Sequence, residues 1–420
     1  MKPFGSVMRQ VQILRLIRSV IAVVVSICLG LPNLAFSRSA DDLRVFWTRP
    51  IASEQSGGLA SGIVILDIAR AAAGPVVLLA RDAGRLCLLT GADDSGPGQQ
   101  TFLSLNGTNL RISAGVGDVL WIGGFTNHRY AGIASGDVSD AYLVKLDRSG
   151  RILWERTFGG DSRRTIESIA ALSSGDIVVA GRDNERTWLA RVSADGRVIW
   201  ERFNGTGRSG ASVAVVGNRI LLAAFEADSK DAAKAFVENV AVWSFDELGI
   251  LRAHQVIRES MNKDRGSSSG RIFIVGGESA AYVFSAWSDF MTAKAIETAK
   301  VDVEGHVAWR REIAESLPDV PKDVHIRLLT WSTAVTLVGQ GNPLITLPIK
   351  GRVLTLEIDT ATGEVSQRSW SAGPDCYKSA ATSLFAALRG AQLWILGSRE
   401  AGFSGTSCTW LGQLSFAQKH

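Results

Sequence analysis

The chain's apolar positions come as short runs at a regular interval. Seven runs, among them Ile177-Val-Val-Ala-Gly181, Ile220-Leu-Leu-Ala-Ala224 and Leu393-Trp-Ile-Leu-Gly397, are rich in Val, Ile and Leu and close on Gly or Ala. Such runs predict buried inner strands, with small residues where neighbours converge. A further apolar strand precedes each one, as in Ile166-Glu-Ser-Ile-Ala-Ala171 or Arg271-Ile-Phe-Ile-Val275. After each comes a strand ending near an Asp, a tight turn with Gly, and a strand that often carries Trp. The clearest pair is Tyr142-Leu-Val-Lys-Leu-Asp-Arg-Ser-Gly150-Arg-Ile-Leu-Trp154 and Trp188-Leu-Ala-Arg-Val-Ser-Ala-Asp-Gly196-Arg-Val-Ile-Trp200.

The turn glycines fall at Gly96, Gly150, Gly196, Gly249, Gly305 and Gly363, with gaps of 54, 46, 53, 56 and 58. Asp42 lies 54 before Gly96 and His420 lies 57 after Gly363, so seven repeat lengths fill residues 38–420. Four short strands per repeat is the pattern of a β-propeller blade. Leu43-Arg-Val-Phe-Trp47 reads as an outer strand with no blade before it. Cys408-Thr-Trp-Leu-Gly-Gln-Leu-Ser-Phe416 reads as a third strand with no outer strand after it. The expected fold is therefore all-β: a single seven-bladed β-propeller closed by pairing of the N- and C-terminal strands, with six or eight blades as the alternatives. Closure protects edges that an open solenoid would cap with polar repeats.

The strand Trp188-Leu-Ala-Arg-Val-Ser-Ala-Asp-Gly-Arg-Val-Ile-Trp200 and the segment Trp154-Glu-Arg-Thr-Phe-Gly-Gly160 resemble the repeats of secreted bacterial β-propeller proteins. Asp147/Gly150/Trp154, Ser193/Gly196/Trp200 and Asp302/Gly305/Trp309 are similar to the tryptophan-docking motif of pyrroloquinoline-quinone-type propellers. The pattern has decayed to Gln100, Ala253 and Gln367 after Gly96, Gly249 and Gly363. The resemblance implies a turn shaped by Asp and Gly and an indole packed between blades, and it implies an exported protein. A quinone enzyme of that type would be expected to show a vicinal Cys pair, and the chain has none.

Composition narrows the setting. Lys2, Arg9, Arg15 and Arg18, the apolar run Ile21–Leu31, Pro32 and the small-x-small site Ala35-Phe36-Ser37 predict a secretory signal peptide over residues 1–37. An uncleaved anchor is the other reading. Cys28, after Val25-Ser26-Ile27, is not in a lipobox. The full chain has 45 Lys and Arg against 41 Asp and Glu, and all four charges of residues 1–37 are basic, so the remainder is formally neutral. That argues against nucleic acid and anionic lipid as partners. Periplasmic or secreted location, monomeric state and no stable membrane insertion after cleavage are the matching expectations. Cys87 reads as a buried apolar residue, while Cys376 and Cys408 fall at one end of the last blade and form a candidate disulfide.

Ligands of such a ring are expected where the links between blades and those between second and third strands gather. His128, Arg129, Asp161, Arg163, Arg164, Asp183, Arg208, Asp264, Arg265 and Asp375 lie in those links and form the candidate ligand face. Asn106-Gly-Thr108 and Asn204-Gly-Thr206 match a glycosylation pattern and are read as tight turns between blades. His254 and His306 are read as surface residues. Neither paired metal ligands nor a calcium loop is legible, so no metal, no cofactor and no catalytic residue is assigned. The function expected is a non-catalytic binding scaffold for a protein or glycan. The alternative is a propeller-type enzyme: a polysaccharide lyase, a lactonase or a quinone-dependent oxidoreductase.

Overall fold

The computed structural model describes residues 36–37, 43–51, 63–70, 76–82, 85–90, 99–128, 138–160, 162–206, 210–227, 238–258, 271–288, 293–313, 334–338, 341–349, 352–372, 382–389, 392–399, 407–415 and 417–418. All regular structure among them is strand. Two compact units divide the chain. One comprises residues 1–37 and 417–420, and in it Phe36–Ser37 pairs antiparallel with Ala417–Gln418. Those two are the only residues described in the segment read as a signal peptide. No helix among the described residues is long and apolar enough to cross a membrane.

The second unit, residues 38–416, holds every other strand. Its described strands form four-stranded antiparallel sheets, seven in number. Within each, consecutive strands lie side by side. The third sheet, for example, runs Arg164–Ala171, Ile177–Asp183, Arg186–Val192, Val198–Thr206. The second starts at Thr108–Ala114 and ends at Ile152–Phe158; the fourth starts at Ala211–Val216 and ends at Leu251–Arg258. Six of the seven apolar runs read as inner strands are second strands, and the innermost position belongs to the run before each. The exception starts at Val335, because Ala334–Val338 is itself the first strand of the sixth sheet and Asn342–Ile349 its second.

First strands of successive sheets touch in chain order, and Thr382–Arg389 of the last sheet lies against Ile63–Arg70 of the first. The last sheet takes its outer strand from the other end of the chain. Leu43–Ile51 pairs with Ser407–Ser415 over the register Leu43↔Leu414 to Ile51↔Ser407. Apolar clusters fill the spaces between neighbouring sheets. One joins Val178, Ala180 and Leu189 of the third sheet to Leu222, Ala241 and Phe245 of the fourth.

The repeated Gly and Trp are the joints between sheets. Gly150, Gly196, Gly249, Gly305 and Gly363 all have φ between 73° and 95°. Each turn is closed by bonds such as Gly249 N–H to Asp246 C=O at 2.9 Å. A Cβ on Gly249 would stand 2.7 Å from the Trp200 ring, and one on Gly363 2.5 Å from Trp309. Each indole therefore lies under the turn of the following sheet. Its Nε1 donates to the carbonyl just after the turn's first residue: Trp154 to Ala194, Trp200 to Glu247 and Trp309 to Thr360, each at 3.0 Å.

The cation paired across the hairpin from each Trp donates to that same carbonyl: Lys145 at 2.9 Å, Arg191 at 2.7 Å and Lys300 at 2.9 Å. Where Trp has decayed to Ala253, its cross-strand partner Ser244 makes the equivalent bond, to Val303 C=O at 2.9 Å. Under Gly150 the side chain is Thr101, one residue beyond the Gln100 that the spacing selects. Thr101 opposes Leu88 across its hairpin, 13 residues apart, where each Trp lies nine residues from its cross-strand partner.

The innermost edges are joined by side chains. Asp67 accepts Ile112 N–H at 2.9 Å, Glu167 accepts Ala211 N–H at 2.8 Å, Ser168 accepts Val213 N–H at 3.1 Å and Ser212 accepts Ile274 N–H at 3.1 Å. Register shifts at Ile65/Asp67 and Ile166/Ser168 re-aim the strands there, as bulges do. Cys87 is fully buried in the first sheet. Cys376 and the Cys408 side chain, and with them the disulfide expectation, lie outside the described residues.

Candidate functional site

The candidate face is the end of the sheets where first strands begin and second strands finish. Arg163 directly precedes the first strand of the third sheet, Arg164 opens it, and Asp183 closes the second strand. His128 closes the second strand of the second sheet, Val119–His128, with its side chain outside the described set. Arg129, Asp161, Arg208, Asp264, Arg265 and Asp375 lie outside the described residues. Asn204-Gly205-Thr206 is a correction: it continues the outer strand, with Thr206 paired to Arg186, and is not a free turn. A register shift beside that pair absorbs the extra length.

The third sheet's corner is built around Arg164. Arg164 pairs with Asp183 across the first two strands. Its Nη2 lies 2.7 Å and its Nε 3.2 Å from Asp183 Oδ2, and its Nη1 lies 3.0 Å from Glu201 Oε1 on the outer strand. The Asp183 side chain is 4% exposed and that of Arg164 13%. Breaking this pair would strand a buried charge. The guanidinium also lies 4.8 Å from the Trp188 centroid and 5.7 Å from that of Phe203.

Beside this pinned pair sits a less compensated group. Arg186 faces Asp183 across the hairpin, and its guanidinium is 4.4 Å from the Phe203 centroid. Among the described residues it makes no hydrogen bond or ion pair. Phe203 is 40% exposed. Asn184 at the hairpin tip has φ 55°, and it exchanges bonds with Arg163. Asn184 N–H donates to Arg163 C=O at 2.8 Å, and Arg163 N–H donates to Asn184 Oδ1 at 3.0 Å. The exposed Arg163 backbone is thus fixed to the tip. Ser139 Oγ, from the second sheet, donates to Arg164 C=O at 3.4 Å and links this corner to its neighbour.

A second buried ion pair joins the fourth and fifth sheets: Arg258 Nη1 to Glu297 Oε1 at 2.9 Å. Burial raises the Glu297 pKa above the usual carboxylate range, against the pull of Arg258 and Arg310. Arg310 also donates to Ile257 C=O at 2.9 Å. His254, exposed as expected on its outer strand, stacks on Trp243 at 4.9 Å and meets Glu226 at 3.0 Å. Among the described residues no group of three or more His, Cys, Asp and Glu side chains could hold a metal. What the corner offers is fixed charge and an aromatic surface, which suit binding and orientation.

Sequence reading missed Glu201, Phe203 and the role of Trp188. Glu201 was legible only as part of a repeated Trp-Glu-Arg, yet both copies of that Glu accept a bond. Glu155 takes Tyr142 OH at 2.8 Å and Glu201 takes Arg164.

Virginiamycin B lyase from Staphylococcus aureus is similar in structure over 88% of this chain and 99% of its own, with a TM-score of 0.51 and 12% identity. This chain is a β-propeller. YCF48 bound to D1 peptide aligns over 92% of this chain and 100% of its own, at TM-score 0.44 and 12% identity. The Dos1 propeller aligns over 90% and 96%, at 0.44 and 10%. No protein-family model and no curated protein matches the sequence. At these identities the likeness concerns the fold alone, and propellers serve many unrelated functions.

Proposed function

We propose that this protein is an exported, non-catalytic binding module, a closed seven-bladed ring that engages a protein or glycan through the end holding Arg163, Arg164 and Asp183. Seven blades are supported by the cyclic succession of first-strand contacts and by the outer strand that Leu43–Ile51 lends to the last sheet. Export to the periplasm or medium rests on the N-terminal basic and apolar pattern.

The observation that carries the binding role is the rigid third-sheet corner. Two carboxylates immobilise Arg164 while Arg163 and Arg186 stay exposed beside it. A fixed scaffold carrying uncompensated polar groups loses little entropy when a partner docks. The test is mild crosslinking of exported protein in its own compartment, comparing Arg163→Glu/Arg186→Glu with Arg311→Glu on the fifth sheet's outer strand. Loss of captured partner in the double variant alone supports the reading. Equal capture by both variants refutes it.

A further inference from the structure

The third-sheet corner combines features that favour one ligand chemistry. Arg186 is exposed, opposite Asp183 in register, and held 4.4 Å from the Phe203 centroid. Phe203 keeps 40% of its surface exposed beside the Arg164 and Arg186 guanidiniums. The Trp188 indole behind them is fully buried, and its Nε1 has no hydrogen-bond partner among the described residues. Arg163, on the same tip, makes no side-chain bond among the described residues.

Carboxylates share this corner: Glu201, whose Oε1 takes Arg164, and Glu185 at the exposed tip. A run of acidic side chains has no hydroxyl to donate to Glu201 or Asn184 and no C–H ring face for Phe203, and would meet Glu201 only with like charge, at a cost in affinity. A ring that carries one carboxylate and several hydroxyls would not. Its carboxylate can take charge-assisted bonds from Arg186 and Arg163, and its hydroxyls can donate to Glu201 and Asn184. Its C–H face can cover the open part of Phe203.

From this geometry we infer that the corner is a subsite for a uronic acid residue of an acidic glycan, with Arg186 holding the carboxylate and Phe203 supporting the ring. This rests on the binding role proposed above and narrows it to one ligand class.

The probes are oligogalacturonate of four to six residues, maltohexaose as the neutral oligosaccharide and a hexaglutamate peptide, titrated calorimetrically into the exported full chain. The expected result is binding of oligogalacturonate, with little or none of the other two. Arg186→Gln should weaken it by roughly tenfold or more, as for loss of one charge-assisted bond. Phe203→Leu should weaken it as well, and Arg311→Gln should leave it unchanged. Arg186 and Phe203 are exposed, so equal thermal midpoints show that the variants fold. Oligogalacturonate binding that ignores Arg186→Gln, binding of hexaglutamate alone, or equal binding of maltohexaose overturns the assignment. If no probe binds but Arg163→Glu/Arg186→Glu still abolishes partner capture, only the uronate assignment falls. If capture is also unaffected, the binding face itself is wrong.

Discussion

Gly249→Ala tests how the blades are joined. The added methyl acts twice. Gly249 has φ 73°, a left-handed conformation that costs an L-residue about 1–2 kcal/mol. The new Cβ would also stand 2.7 Å from Trp200 Cδ2 and 2.9 Å from Cε2. Trp200 is 8% exposed and bonded through Nε1, so the ring cannot swing clear, and overpacking of this kind costs about 1–3 kcal/mol more. The expected total is about 2–5 kcal/mol.

Gly217→Ala is the matched reference. Its φ is 59° and nothing lies within 4 Å of the added Cβ, so it should lose only the backbone share, about 1–2 kcal/mol. Urea unfolding of both, with unchanged m-values, isolates the contact with Trp200. A double-mutant cycle adding Trp200→Ala should show favourable coupling, since the smaller side chain removes the clash. If Gly249→Ala costs no more than Gly217→Ala, the indole does not lie beneath the turn and the joint is misassigned.

Trp200→Phe should keep most of the packing and lose the bond to Glu247, costing about 1 kcal/mol while Arg191 still serves that carbonyl. Ser244→Ala should cost about as much, because it removes the side-chain donor of Val303 C=O; thermal unfolding measures both. Glu297→Ala should destabilise by about 3–5 kcal/mol in urea by leaving Arg258 buried without its carboxylate, and Glu297→Ala/Arg258→Met should recover much of that loss. The Asp147, Asp246 and Asp359 pKa values are lowered, chiefly by bonds from Ser149 OH, Ile250 N–H and Thr362 N–H respectively. A lowered carboxylate contributes stability above its ordinary value and loses it as pH falls through the folded one. The Asp246→Asn/Asp359→Asn variant should therefore show a shallower loss of stability below about pH 4, read from midpoints across a pH series.

The repeat was legible because its parts are local. Asp147, Gly150 and Trp154 lie within eight residues and shape one hairpin, so the turn and the buried indole could both be read from spacing. What the indole rests on was not legible, since Ala194, Glu247 and Thr360 belong to the next repeat. The shared carbonyl clamp of Lys145, Arg191 and Lys300 shows only once strands are paired. Ser244 replaces it through a hydroxyl that no turn pattern marks. The inner-edge bonds from Asp67 and Ser168 depend on bulges, which shift facing by one residue and defeat an alternating pattern. At the candidate face, Arg164 and Asp183 were read as charged residues of the links, whereas they open and close paired strands. Their mutual burial was not legible, because it depends on pairing across strands 19 residues apart and on Glu201 reaching Arg164 from 37 residues away.

Closure by the chain's two ends is most directly tested by strand complementation. A chain lacking residues 1–51 loses the outer strand of the last sheet and exposes the Ser407–Ser415 edge. Its thermal midpoint should fall, and a synthetic peptide covering residues 42–52 should restore it and bind at one equivalent. An unchanged midpoint on truncation, or a loss that the peptide cannot repair, would contradict a ring closed by Leu43–Ile51.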